Sequence, residues 1–190
     1  LVFHHLVFDG WSAGIVTNEL ATLYEAIRSN RQPDLPELPI QYADYALWQR
    51  DWLRSDTFQT QIDYWQNQLS GELPLLQLPT DKPRPSVKTH NGASTSVLLS
   101  PELTVQITAL CQQTGSTPFM LLLAAFKVLL HRYTAQNDIL VGTPIANRQQ
   151  AELEGLVGFF VNTLVLRSQV DGRQTFRQLL TQVRHTATAA

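Results

Sequence analysis

A single cysteine, Cys111, stands among the 190 residues, so no disulfide can close within the chain. That fits a reducing compartment, and its helical surroundings make a buried structural thiol the expected role. Basic residues are sparse too: 14 Lys and Arg against 16 Asp and Glu give a formal net charge of −2, with the cations scattered. Nucleic acid demands a basic patch or stripe, so nucleic-acid binding is not expected. Long apolar runs are missing as well. The longest, Phe119–Leu130, holds 12 residues and is interrupted by Lys127, well short of the roughly 20 that cross a bilayer as a helix. No basic segment precedes an apolar one at Leu1, so neither a secretory signal nor a membrane partner is expected. What remains is 44% apolar and 16% charged, the balance of a globular core.

Leu1–Phe8 is apolar around two histidines and reads as a buried strand, broken by Gly10. Helical spacing follows from a candidate cap at Ser12, with Val16, Leu20, Leu23, Tyr24 and Ile27 on the face expected to meet a core. Prolines 33, 36 and 39 make 30–39 a loop. Two helices come next. Tyr45, Trp48 and Trp52 share a face of one; Phe58, Ile62, Trp65 and Leu69 share a face of the other, with Gly71 as its C′ residue. Aromatics at this spacing are ordinarily core, and no chemistry is assigned to them.

Residues 73–96 hold Pro74, Pro79, Pro83, Pro85 and Gly92 and form the clearest linker. A strand at Thr95–Leu99 is expected, then helices opened by Ser100-Pro101 and Thr117-Pro118, the second buried on most sides. Asp138–Ile145 and Gly158–Arg167 read as strands joined by a polar loop. Thr175 and Gln178 have capping-box spacing at the last helix. Both ends read as cut, Leu1 inside an apolar run and Ala190 in an uncapped helix, so a fragment of a longer chain is expected. The order of elements is mixed α/β in two pieces.

Chemistry concentrates at His4-His5-Leu6-Val7-Phe8-Asp9-Gly10. Imidazole titrates near neutral pH and is the usual side chain for moving protons. Asp9 would either orient an imidazole or hold the turn through an ion pair, and Gly10 admits close backbone approach or strained dihedrals. Two satisfied core histidines and a turn-forming Asp-Gly are the ordinary alternative. No further His, Cys or carboxylate falls at ligand spacing nearby, so no metal is expected. His90, His131 and His185 lie outside any motif and are expected at the surface or at helix ends.

His4-His5 through Asp9-Gly10-Trp11-Ser12 resembles the HHxxxDG signature of the condensation domains of non-ribosomal peptide synthetases. Tyr42-Ala-Asp44-Tyr45-Ala-Leu-Trp48-Gln-Arg50 resembles the family's next motif. Val141-Gly142-Thr-Pro144-Ile-Ala-Asn147-Arg148, followed by Gly158-Phe-Phe-Val-Asn162-Thr-Leu164, resembles the one after. The resemblance spans residues 1 to 190. It implies an α/β fold of the two-lobed chloramphenicol acetyltransferase type, present as an incomplete fragment. Residues 1–72 would end the N-terminal lobe, 73–96 link the lobes, and 97–190 begin the C-terminal lobe. Between the lobes would run a tunnel with His5 at its middle as the catalytic residue, and His4, Asp9 and Gly10 as motif or structural residues. Trp11, Asn162 and Arg148 would border the substrate path. Asn162 stands among apolar neighbours, so a buried strand and a polar tunnel wall both remain open. Asp9 is implied as an ion-pairing residue; an arginine supplied by motifs ahead of His4 would be absent, leaving Arg148 as a conceivable substitute.

The implied reaction joins a carrier-bound acyl or peptidyl thioester donor to a carrier-bound aminoacyl acceptor, forming an amide. No cofactor would bind directly; 4′-phosphopantetheine would arrive on donor and acceptor peptidyl carrier domains. An adenylation domain would lie in the same polypeptide, and the location would be cytoplasmic. The isolated fragment is expected to be inactive. Rival readings are a related acyl-CoA-dependent acyltransferase, an epimerisation domain and a non-catalytic carrier-docking domain.

Overall fold

The computed structural model describes residues 1–83, 85–87, 89 and 91–190. His90 therefore lies outside the described residues. Among the described residues, seven helices and two strands follow in the order α1 (Gly10–Arg28), α2 (Tyr42–Trp52), α3 (Asp56–Gln68), α4 (Pro101–Thr114), α5 (Pro118–Thr134), β1 (Asp138–Ile145), α6 (Ala151–Glu154), β2 (Asn162–Gln169) and α7 (Phe176–Ala189). Among the described residues the sheet is β1 paired with β2. The chain forms two compact units, one of Leu1–Ser70 with Thr143–Leu164, the other of Gly71–Gly142 with Val165–Ala190.

Local signals set most helix ends. Ser100 and Thr117 accept hydrogen bonds from the Leu103 and Met120 N–H groups, with proline at the first turn in both helices. These bonds satisfy donors a helix start leaves unpaired. Gly115 ends α4 at φ +59°, a left-handed conformation that glycine adopts at little cost. Thr175 and Gln178 form the reciprocal capping box: the Thr175 N–H donates to Gln178 Oε1 at 2.8 Å and the Gln178 N–H to Thr175 Oγ1 at 3.3 Å.

The first unit's apolar core gathers Tyr45, Leu153, Leu156 and Phe160, with Leu38 and Ile40 against them. The second packs α4, α5 and α7 around Cys111, Leu123, Ala124, Ile139, Leu166 and Leu179. Cys111 is buried there as a free thiol. No single helix among the described residues is long and apolar enough to cross a membrane.

Several expectations are corrected. Leu1–Phe8 is not a buried strand: it is exposed coil with a turn closed by the Val7 N–H on His4 O at 3.1 Å. Thr95–Leu99 is likewise no strand. A strand exists through ladder partners, and among the described residues neither run has one. The first helix begins at Gly10 under Asp9, not at Ser12, and Leu20, Tyr24 and Ile27 are exposed while Ala26 is buried. Gly71 is left-handed at φ +77° but sits one position beyond C′, since Leu69 caps α3. Helix α5 buries Leu121, Leu123, Ala124, Lys127 and Leu130, yet leaves Phe119, Leu122, Phe126 and Leu129 half open. The second strand starts at Asn162 rather than Gly158, and α6 interrupts the polar loop before it.

Lys127 is the unexpected member of the second core. Its side chain is fully buried, and Nζ donates to Leu166 O and Ser168 Oγ, each at 2.7 Å. Burial pushes its pKa from 10.5 down to about 8, against the pull of Asp138, a carboxylate itself paired to Arg167 at 2.7 Å. Between these two pH values the unfolded chain binds a proton that the folded one does not, so stability rises with pH. In the complete domain, urea unfolding at pH 7 and pH 9.5 should show a rise of up to about 2 kcal/mol that Lys127→Met abolishes. An identical pH dependence in parent and variant contradicts this.

Candidate active site

Asp9 does two jobs with one carboxylate. As N-cap of α1, its Oδ1 accepts from the Ser12 N–H at 2.8 Å. It also pairs with Arg148 at 3.3 Å, with the two side chains 0% and 1% exposed. The Ser12 hydroxyl donates to Asp9 Oδ1 at 2.7 Å, and the Phe160 N–H donates to Oδ2 at 3.1 Å. Burial pushes the Asp9 pKa up, but the bonds from Ser12 and Phe160 and the Arg148 charge outweigh it, so the carboxyl lies below its ordinary 3.8. Such a group contributes stability that is complete above its unfolded pKa and is lost as pH falls through the lowered folded value.

Arg148 reaches Asp9 across 139 residues of chain. Asn147, at φ +53°, supplies the left-handed turn just past the end of β1, a conformation asparagine tolerates better than most residues. Beyond Asp9, Arg148 Nη1 donates to Leu153 O and, at 2.7 Å, to Leu156 O. Nη2 donates to Ser12 Oγ at 3.2 Å, and the guanidinium lies 3.9 Å from the Phe160 ring centroid. The arginine is thus consumed by structure. Its polar edge is turned into the core, where it is Asp9's partner from within the chain.

Ser12 is the residue that sequence reasoning undervalued. Besides bonding Asp9, its hydroxyl accepts from the Gly158 N–H at 3.0 Å, and Gly158 O lies 3.0 Å away. The only signal was Asp9-x-x-Ser12 spacing at a helix start. Gly158 was equally inconspicuous: a Cβ there would come within 2.3 Å of the Tyr42 ring. Tyr42 in turn donates to Phe159 O at 2.8 Å, and Trp11 Nε1 donates to Glu154 O at 2.9 Å.

The histidines stand apart from this network. His4 Nδ1 accepts from the Leu6 N–H at 3.0 Å, shaping the turn. His5 is exposed, its ring 5.3 Å from that of Phe159 and nearly perpendicular to it. Asp9 therefore does not orient His5; the ion-pair alternative is the one that forms. Gly10 has no left-handed φ, and among the described residues a Cβ there would meet nothing within 4 Å. Asn162 is exposed at the start of β2, where its Oδ1 accepts from the Thr163 N–H at 2.8 Å. It is thus not an amide buried in a strand.

Against this geometry stand the comparisons with known proteins. The family model described as Condensation domain matches residues 1–190, and the chain belongs to that family. A linear gramicidin synthase polypeptide of Brevibacillus parabrevis is 54% identical over 97% of this chain, which spans only 4% of that protein. The SgcC5 protein of Streptomyces globisporus superposes with a TM-score of 0.83 at 31% identity, covering 98% of this chain and 42% of its own. A four-domain nonribosomal peptide synthetase, AB3403, gives a TM-score of 0.85 at 29% identity, with 98% of this chain and 14% of its own covered. The fold is that of the condensation-type domains, of which this chain spans less than half.

Gly158 provides the site's sharpest packing test. In the complete domain, Gly158→Ala must displace Tyr42 from a well-packed cluster, with an expected loss of about 1–3 kcal/mol of unfolding free energy. Glycine-like stability in the alanine variant would contradict the close packing of Tyr42 on this segment.

Proposed function

We infer that this chain supplies the histidine-bearing part of a domain that forms amide bonds between two carrier-bound substrates. The observation that carries the reading is the placement of His5: an exposed imidazole four residues ahead of a fully buried Asp9–Arg148 pair that fixes the start of α1. Substrates would arrive as thioesters on 4′-phosphopantetheine arms of donor and acceptor carrier domains, activated by an adenylation domain of the same polypeptide, in the cytoplasm. Residues 1–72 would then close the N-terminal lobe and 97–190 open the C-terminal one, with 73–96 between. The chain covers 42% of SgcC5, which supports the reading that these residues alone do not turn over substrate.

The acceptor amine attacks the donor thioester carbonyl; the C–N bond forms, the C–S bond breaks, and the departing thiolate takes up a proton. An α-amino group has a pKa of about 7.7–8.0, so removing its proton beforehand is worth only about 1 kcal/mol at neutral pH. Aligning two tethered reactants contributes about 7–11 kcal/mol. His5 therefore serves chiefly to hold the amine or the tetrahedral intermediate, and to collect the proton the nitrogen sheds after attack. Asp9 acts one step removed, by keeping the His5 segment in register.

In the complete domain, His5→Ala should cut dipeptide formation by about 10²–10⁴-fold, with carrier loading unchanged. Product is read from purified donor and acceptor carriers, each loaded beforehand. Near-parental product from the variant would remove His5 from the chemistry, and a parent that turns over only acyl-CoA would replace the carrier-to-carrier reading.

A further inference from the structure

The aromatic faces of α2 and α3 do not close into a core. They open on a cavity of about 400 Å³ within the first unit, a volume within the usual range of small-molecule sites. Trp48, Trp52, Phe58 and Trp65 form its aromatic wall, and Tyr45 joins it to the buried cluster. Ring centroids follow one another at 4.7 Å from Phe160 to Tyr45, 6.0 Å to Trp48, 6.0 Å to Trp52 and 5.2 Å to Phe58. The cavity is thus one ring layer removed from the guanidinium that holds Asp9.

Its remaining lining is amide apart from the aliphatic side chains of Leu53, Ile62 and Leu153. Gln61, Asn147, Gln149 and Gln150 all face it. No charged side chain lines it among the described residues. Trp48 and Trp52 lie half open to solvent, their planes 18° apart.

Flat aromatic walls favour a planar or branched apolar group. A rim of donor-and-acceptor amides favours a ligand that carries both functions, which a peptide unit does. The lack of charge disfavours ionic ligands, which would lose hydration with nothing to replace it. We propose that this cavity is a binding site for an uncharged, amide-bearing aromatic or aliphatic residue, as found in a peptidyl or aminoacyl chain. The assignment of that residue to a condensation substrate rests on the function inferred above; the ligand chemistry does not.

The test is calorimetric titration of the complete domain with N-acetyl-L-phenylalaninamide, N-acetyl-L-aspartic acid amide and N-acetyl-L-lysinamide, without carriers. The neutral aromatic amide should bind at one site, about tenfold or more tighter than either charged one, and Trp52→Ala should weaken it about tenfold. Gln150→Ala alters an exposed residue whose side chain makes no capping bond; it should weaken the same probe while preserving the thermal melt, which keeps the test readable if Trp52→Ala misfolds. No saturable binding in the parent, equal binding of the charged amides, or binding unchanged in both variants overturns the proposal. Dipeptide formation from loaded carriers is measured on the same preparations. Probe binding without product retains the cavity and removes the catalytic reading; product without probe binding does the reverse.

Discussion

An aspartate and an arginine 139 residues apart share one buried ion pair, and the rest of the site is arranged around it. Burying either charge alone would cost several kcal/mol, and attraction between the two repays this only if their remaining hydrogen-bonding capacity is met. Here it largely is. Asp9 takes bonds from the Ser12 and Phe160 N–H groups and the Ser12 hydroxyl, while Arg148 gives its own to Leu153 and Leu156 carbonyls. The same bonds cap α1, seat the turn after β1 and draw the Gly158–Phe160 segment onto both. Losing one partner would therefore release three pieces of chain at once.

This division of labour bears on the chemistry. A carboxylate committed to a guanidinium and three further donors is not free to tune an imidazole, so the role proposed for His5 is one that does without it. That suits the proposed reaction, whose substrates would already be activated and where holding two reactants in line outweighs base strength. Shape and register are what such a site must supply, and the ion pair supplies register.

Legibility in the sequence followed the range of the forces involved. Helices α4, α5 and α7 were readable because caps such as Ser100-Pro101 and Thr175 with Gln178 act within one turn. The histidine motif and the tandem α2 and α3 faces were readable for the same reason. Leu1–Phe8 and Thr95–Leu99 were misread because a strand depends on a ladder partner that its own residues do not encode. Arg148 could be named as a conceivable partner for Asp9 but not fixed as one, since that depends on Asn147 turning left-handed and on Phe160 offering its ring. Ser12 and Gly158 were hidden for a further reason: a small residue declares its role only through what crowds it. The tryptophans of α2 and α3 were assigned to core by their spacing, and spacing does not distinguish a filled interior from the wall of a cavity.

The most direct test of the ion pair as the organising contact is a double-mutant cycle on the complete domain, with unfolding free energies for the parent, Asp9→Ala, Arg148→Met and the double variant. Each single change should cost about 3–5 kcal/mol, since it strands a buried charge. The double variant should cost less than the sum by more than about 1 kcal/mol. Losses that add to within about 0.5 kcal/mol, the behaviour of independent sites, would show that the two residues are neighbours without being partners, and that the register of the His5 segment is set by something else.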